Sequence, residues 1–337
     1  MTRRSEASTA FLAANGWGQA VRRFLAGDAS DRSYDRLTRG AQTAVLMDAP
    51  PGTADDTAAF VSIAAHLRRI GLSAPDILAQ DLTQGFLLIE DLGDALFARV
   101  LETSTTQEPV LYRAATDVLV RLQAQSAPAG LPDLSAADWA QAATFALDWY
   151  AFAATGQRPS SVEFVQTLTD ALQAHADGSR VLILRDYHAE NLLHLPQRQG
   201  VAAVGLLDFQ LAQMGQPGYD LVSLLQDARR DVSPDVASDM TLYFAKETGR
   251  DVPAFEASCA ALGAQRSLRI LGIFARLCLV GGKPGYLKLI PRVWRQLQGN
   301  LSHPALSDLR AVCDGLLPAP TDTVLQKIGD QCASPSP

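Results

Sequence analysis

The polar and apolar positions of this 337-residue chain fall into two regimes that change near residue 92. Before that point short apolar and β-branched runs dominate. Residues 20–25 (AVRRFL), 33–37 (SYDRL) and 44–49 (AVLMDA) read as three short strands, preceded by a helix over 5–15 that stops near Asn15 and Gly16. They predict a compact antiparallel opening. APPGTADD then reads as a loop, the spacing over 59–72 (AFVSIAAHLRRIGL) predicts an amphipathic helix, and FLLIEDLG comes next as a buried strand running into a connector. From about residue 95 the pattern is helical, with helices expected over 109–125, 135–154, 161–176, 218–228, 233–248, 253–280 and 284–299.

Two apolar runs interrupt the helical part, VLIL (181–184) and VAAVGLL (201–207), and both suit buried strands, with LPQRQG between them as a turn. The chemistry sits at their ends. The segment LRDYHAENLLHL (184–195) places Asp186 and Asn191 in a loop leaving the first run, and Asp208 leaves the second, so three oxygen-bearing side chains converge on one edge. An Asp after an apolar run is commonly a turn residue or helix cap. The full pattern, Asp, Asn five residues later, a strand and a second Asp, is more specific. Moving the γ-phosphoryl of ATP to a hydroxyl requires a carboxylate that orients the attacking oxygen, and oxygen ligands that hold Mg²⁺ on the phosphates. In that scheme Asp186 is the catalytic carboxylate, and Asn191 and Asp208 are the metal ligands.

On these residues the chain resembles the aminoglycoside phosphotransferase family, whose pattern is HGDxHxxN, a strand ending in Asp, and a YDLA-like segment. Asp186, His188 and Asn191, then Asp208, then Tyr219, Asp220 and Leu221 match it. GDAS (27–30), LMDAPP (46–51), FLLIEDLGD (86–94), YDLVSLLQDARRDV (219–232) and GIFARL (272–277) extend the resemblance to bacterial kinases that phosphorylate the anomeric hydroxyl of N-acetylmuramic acid and N-acetylglucosamine. The resemblance implies an α+β, two-lobed, protein-kinase-like fold. Residues 1–92 would form a small antiparallel-sheet N-lobe that binds nucleotide, 93–320 a mostly helical C-lobe for catalysis and acceptor binding, and 321–337 a polar tail. It further implies ATP and Mg²⁺ as cofactors, a small-molecule sugar as partner, a sugar 1-phosphate as product, and a role in cell-wall sugar recycling. Two rivals stand beside it: a kinase of another small hydroxyl compound, such as an aminoglycoside or amino alcohol, and a non-catalytic nucleotide-binding module.

At the nucleotide end AGDASDRSY (26–34) lies between the first two strands, where a phosphate-covering loop belongs. With one glycine, it fits an ordinary hairpin turn equally well. Read functionally, the backbone at Ala29 and Ser30 approaches the phosphates, and main-chain groups from Glu90 to Leu92 meet adenine. The pattern departs from a kinase at Met47, which stands where a third-strand Lys normally holds the phosphates; the following helix offers no obvious Glu, its early acids being Asp55 and Asp56. Arg32 is the candidate replacement charge. Leu184 and Arg185 likewise replace the His and Gly of HGD.

The acceptor end is less defined. His188 and Gln210 flank the motif residues, Asp148 and Tyr150 share a helix turn with Trp149, and Arg269 recurs with Arg266 and Arg276 at near-helical spacing. These are the candidate sugar contacts, against the plainer readings of a structural histidine, core aromatics and a solvated basic face.

Charge and cysteines narrow the picture. A net charge of −7 argues against a nucleic-acid or anionic-membrane binder. Cys259, Cys278, Cys313 and Cys332 show no CxxC pair and read as reduced cytosolic thiols. The apolar stretch LGIFARLCLVGG (271–282) is short and carries Arg276, so a buried helix and a cytoplasmic protein are expected, with oligomeric state left open.

Overall fold

The computed structural model describes residues 3–27, 32–52 and 57–332. In chain order the elements are α1 (Arg3–Ala14), β1 (Val21–Ala26), β2 (Ser33–Arg39), β3 (Gln42–Asp48), α2 (Thr57–Arg69), β4 (Ile77–Asp81), β5 (Phe86–Ile89), α3 (Phe97–Thr103), α4 (Glu108–Gln123), α5 (Ala136–Ala143), a wide π-type turn (Ala146–Ala151), α6 (Phe152–Thr155), α7 (Val162–His175), β6 (Val181–Ile183), β7 (Leu192–His194), β8 (Val204–Leu206), β9 (Gln213–Gly215), α8 (Tyr219–Leu225), α9 (Pro234–Glu247), α10 (Val252–Leu279), α11 (Ile290–Leu301), α12 (Ser307–Leu316) and α13 (Asp322–Gly329). They group into two compact units, residues 1–130 with 184–212, and 131–183 with 213–337. The grouping differs from a boundary at residue 92, because α3, α4 and the β7–β8 hairpin fall with the sheet.

The first unit is built on a five-stranded antiparallel sheet in the order β1-β2-β3-β5-β4. Its apolar residues sort by strand position. The edge strand β1 is exposed along its length, whereas β3 from Ala44 onward and all of β5 are buried, as continuous apolar runs in central strands require. Alternation then divides the faces: Leu37, Ala44, Leu46, Phe86 and Leu88 pack with Phe11 and Leu12 of α1 and with Trp17. Val45, Met47, Leu87 and Ile89 face the other way, paired across β3 and β5 as Val45 with Ile89 and Met47 with Leu87.

One expectation is corrected here. The runs 181–184 and 201–207 do not pair with each other: β6 pairs with β9 in the second unit, and β7 pairs with β8 in the first. The residues between Asn191 and the second run are apolar enough to form a strand of their own, and the shorter hairpin wins. The β7–β8 hairpin is tied to the first unit by bridges from Ser73 to Gly205 and from Leu96 to Leu193.

The second unit is helical and centred on α10, 28 residues long, which packs against α5, α7, α11 and the wide turn. The single helix expected over 135–154 is broken. A Cβ at Gly272 would lie 2.1 Å from the Phe145 carbonyl oxygen, so α10 passes the backbone at the break, where only glycine fits. The segment expected as a polar tail carries α13, whose Ile328 is fully buried while the Lys327 Nζ donates to the Ala154 carbonyl at 2.7 Å. The last five residues of that segment, 333–337, lie outside the described residues. Cys278 and Cys332 are joined as a disulfide, against the expectation of four free thiols. Their 54-residue separation hides a proximity created only when α13 docks beside α10. Among the described residues no helix is long and apolar enough to cross a membrane.

Candidate functional site

The loop between β6 and β7 is shaped by its backbone. Arg185 has φ +72°, and the Asp186 N–H donates to the Leu184 carbonyl at 2.9 Å, which closes a three-residue turn of the rarer, strained hand. Asp208, just beyond β8, has φ +58°. Among the described residues these are the two non-glycine positions with positive φ, and both belong to the motif pattern.

The rest of the loop is held from within. Asn191 Nδ2 donates to the Asp186 carbonyl at 2.8 Å, its N–H donates to the His188 carbonyl at 2.8 Å, and its own carbonyl accepts from the Leu207 N–H at 3.0 Å. The amide nitrogen is therefore used inside the loop, and Oδ1 is the atom Asn191 can present outward. Tyr187, buried, donates its hydroxyl to the Ala115 carbonyl of α4, and the Ala98 N–H of α3 donates to the Ala189 carbonyl. Asp186 and Asn191 are thus fixed by main-chain bonds on both sides.

Asp208 is held by side chains. Its Oδ1 accepts from Arg32 Nη2 at 2.9 Å and from Gln210 Nε2 at 3.0 Å. Arg32 and Gln210 are each 6% exposed, so the carboxylate sits against a buried cation and a buried amide. Phe209, the next residue, stacks on Phe60 of α2 with ring centroids 4.8 Å apart.

Asn191 and Asp208 line a cavity of about 300 Å³ within the first unit. Leu25 and Ala26 of β1, Val45 of β3, Ile89 of β5, Leu193 and Leu207 give it apolar walls. Its far end is the connector Glu90–Asp94. There the side chains are bound elsewhere: Glu90 pairs with Arg68 and Arg198, and Arg36 bridges Asp91 and Asp94. Asp91 Oδ1 also accepts from the Gly93 N–H at 3.0 Å, in a turn that Gly93 permits with φ +87°. A Cβ on Gly205 would lie 3.2 Å from Leu92 Cδ1, so the Leu92 side chain covers that glycine. The connector is left to present its main chain.

The expected residues thus divide. Asp186, His188, Asn191, Asp208, Gln210, Arg32, Glu90 and Leu92 all belong to the first unit, and Ala29 and Ser30 lie outside the described residues. His188 is 7% exposed, with Nε2 3.5 Å from Asn191 Nδ2. Met47 is 1% exposed on the same face of β3 as Val45, so no charge takes the place of the absent Lys on that strand. Asp148, Tyr150 and Arg269 belong to the second unit. Tyr150 is corrected: it is fully buried, its hydroxyl donates to the Pro318 carbonyl at 2.7 Å, and burial pushes its pKa up, all of which make it a core residue. Asp148 is exposed and accepts from Thr144 Oγ1 at 3.1 Å, while Arg269 is half-buried on α10. Its neighbour Arg266 is the buried one, donating to the Gln226 carbonyl at 3.3 Å. Asp220 is fully buried in the first turn of α8, whose N-cap is Gly218, so it is not the cap of that helix.

Sequence reasoning missed Tyr34, Val45, Phe60, Leu193 and Leu207 as cavity residues. Each reads as ordinary core by pattern. For Tyr34 and Val45 the strand register, with Val45 opposite Ile89 and Tyr34 opposite Met47, sets the shared face, while Phe60, Leu193 and Leu207 reach the cavity from α2, β7 and the segment after β8.

A model of the phosphotransferase enzyme family matches residues 21–254. The chain belongs to that family. An N-acetylmuramate/N-acetylglucosamine kinase of Caulobacter vibrioides is 39% identical, over 94% of this chain and 98% of that protein. A protein of the same name from Pseudomonas aeruginosa is 34% identical, over 88% of this chain and 89% of its own. Among solved structures, a choline/ethanolamine kinase family protein from Mesorhizobium loti superposes with a TM-score of 0.63 at 16% identity, covering 97% of this chain and 99% of that one. The fold is therefore the kinase-like α+β fold of this phosphotransferase family.

Proposed function

We propose that the protein is a sugar kinase that transfers the γ-phosphoryl group of ATP to the anomeric hydroxyl of N-acetylmuramic acid or N-acetylglucosamine, giving the sugar 1-phosphate. The observation that carries this reading is the 39% identity, along nearly the whole chain, to a kinase named for those two sugars. The loop geometry supports the chemistry. Asp186 is held at the end of a strained turn, where it can orient the acceptor hydroxyl and take its proton. The anomeric hydroxyl is more acidic than an ordinary alcohol, so positioning rather than basicity sets the rate.

The donor set fits Mg²⁺. Asn191 presents an amide oxygen because its nitrogen is engaged, Asp208 presents a carboxylate, and both line the same cavity. When bound, the ion offsets phosphate charge as it develops. Arg32 adds a cation to that end, and the apolar walls with the main chain of Glu90 and Leu92 receive adenine. The loop containing Ala29 and Ser30 would cover the phosphates. His188 and Gln210 are assigned to the acceptor end. The reaction belongs in the cytoplasm, where ATP is available, within recycling of cell-wall sugars.

The test incubates purified protein with ATP, Mg²⁺ and, separately, N-acetylmuramic acid, N-acetylglucosamine, glucose, choline and kanamycin, following ADP release and the phosphorus NMR spectrum of the product. A sugar 1-phosphate resonance from the N-acetyl sugars alone is expected. Turnover only with choline or kanamycin would keep the phosphotransfer and discard the sugar; bound ATP without turnover would leave a nucleotide-binding module.

A further inference from the structure

One cation of the second unit has no counter-ion. Arg250, in the short link between α9 and α10, is half-buried, and its Nε is fully buried without an acceptor. Among the described residues no carboxylate pairs with it. Its guanidinium lies over the Phe255 ring with Cζ 6.0 Å from the centroid, a cation–π contact at its outer reach that supplies no acceptor. Burial lowers the Arg250 pKa, as it does for a charge whose desolvation no partner offsets. Arg250 lines a cavity of about 330 Å³ built from residues of the second unit alone. His175 from the last turn of α7, Ser179 ahead of β6 and Ser258 of α10 line it as well. Among the described residues the side chains of these three have no hydrogen-bond partner. The acids around them are committed. Asp177 pairs with Arg180, and Asp251, which also lines the cavity, caps α10 by accepting from the Ala254 N–H at 3.0 Å.

We propose that this cavity binds the phosphate group of a small phosphate monoester, with the Arg250 guanidinium as its counter-ion and His175, Ser179 and Ser258 as further hydrogen-bond donors. A planar guanidinium offers parallel N–H donors that match two phosphate oxygens, and the buried Nε is one donor of that fork. The first turn of α10 borders the same space, and its partial positive charge adds to the attraction, while Asp251 opposes it. The volume exceeds what a bare phosphate fills and lies in the range of small-molecule pockets, so an ester carrying a sugar-sized group or smaller is the fitting class. No lining residue is shared with the cavity of the first unit, and the proposal does not rest on the sugar-kinase reading.

The test titrates the full chain with inorganic phosphate, glucose 1-phosphate, glucose and chloride at matched ionic strength. Binding is read from the ring-proton NMR resonance of His175, assigned by its loss in His175→Gln. Phosphate and glucose 1-phosphate are expected to shift it saturably, glucose and chloride not at all. Arg250→Gln should weaken both phosphate compounds by about tenfold or more, the worth of a hydrogen bond to a charged group, and Arg250→Lys should recover part of the loss. Asp251→Asn keeps a capping side chain and removes a negative charge, so it should tighten both several-fold. An arginine with a structural role alone would move the melting temperature and leave these affinities unchanged. Where melting curves show that Arg250→Gln fails to fold, the other two variants decide, since affinity must fall in Arg250→Lys and rise in Asp251→Asn. No saturable shift with either phosphate compound, an equal shift with glucose, or unchanged affinity in Arg250→Gln overturns the proposal.

Discussion

The two ends of the cavity solve different problems with different atoms. At the connector the side chains of Glu90, Asp91 and Asp94 are all held in ion pairs with Arg68, Arg198 and Arg36, and Leu92 covers Gly205, so main chain and apolar walls are left to the cavity. At the other end the main chain is consumed by the turn at Arg185 and the bonds around Asn191, and the side chains of Asn191 and Asp208 line the cavity. Recognition of a flat base needs hydrogen-bonding edges and a slot, which any sequence of suitable size supplies. Charge handling needs particular functional groups. Substitutions at one end should therefore act through binding and at the other through turnover.

The strongest test is Asp208→Ala, which should lower metal-dependent turnover by about 10³-fold or more, the scale of several kcal/mol that a metal ion contributes. Residual rates near wild type with saturating Mg²⁺ would break the division outright. Asp186→Asn should lower kcat by about 10²- to 10⁴-fold with ATP affinity nearly unchanged, as loss of an acid–base group does; a matching fall in ATP affinity would show that the two ends are not separable. Cys332→Ser is the remote control. It opens a 54-residue closure in the second unit and should cost about 2–4 kcal/mol of stability, seen as a lower melting temperature, with ATP KM unmoved.

At the connector the expected effects are smaller. Leu92→Pro removes one N–H and should raise ATP KM by about 5- to 10-fold at unchanged kcat, the worth of one hydrogen bond of about 1 kcal/mol. Glu90→Gln should move KM by less than about twofold, because its carboxylate serves partly exposed ion pairs rather than the slot. If the side-chain change were the larger, the contrast between the two ends would be reversed. The smallest effect belongs to His66 on α2, which is buried, 2.8 Å from Arg69, and whose pKa is lowered first by burial and then by that arginine. The folded state thus takes up this proton less readily than the unfolded state, whose ordinary value is 6.5. Its contribution is constant above that pH and is lost as pH falls below it, so His66→Gln should flatten the acid side of a stability–pH curve.

The same contrast explains what the sequence disclosed. Asp186, Asn191 and Asp208 stood out because the proposed phosphoryl transfer restricts residue type at fixed spacing, and β3 and β5 were legible because central strands demand apolar runs, while the exposed edge strand β1 showed through its short β-branched and aromatic run alone. The connector was legible only by position, since backbone groups leave no residue signature. Tyr150 misled because a buried tyrosine whose hydroxyl meets a distant carbonyl looks, along the chain, like any aromatic beside an acid. The break at Phe145 and the Cys278–Cys332 bond depend on what lies across from them, Gly272 in one case and a docked α13 in the other. Short elements such as β4 and α3 offered too few periods to be recognised.

The turn at Arg185 has an evolutionary consequence. Glycine would occupy φ +72° without strain, whereas a residue with a Cβ in such a region costs on the order of 1–3 kcal/mol. A lineage that keeps arginine there forgoes an easily reached stabilising mutation, since one codon change can convert many arginine codons to glycine. The side chain must then serve selection in some way that glycine cannot, and natural variation at this position is a record of how much rigidity the neighbouring aspartate requires.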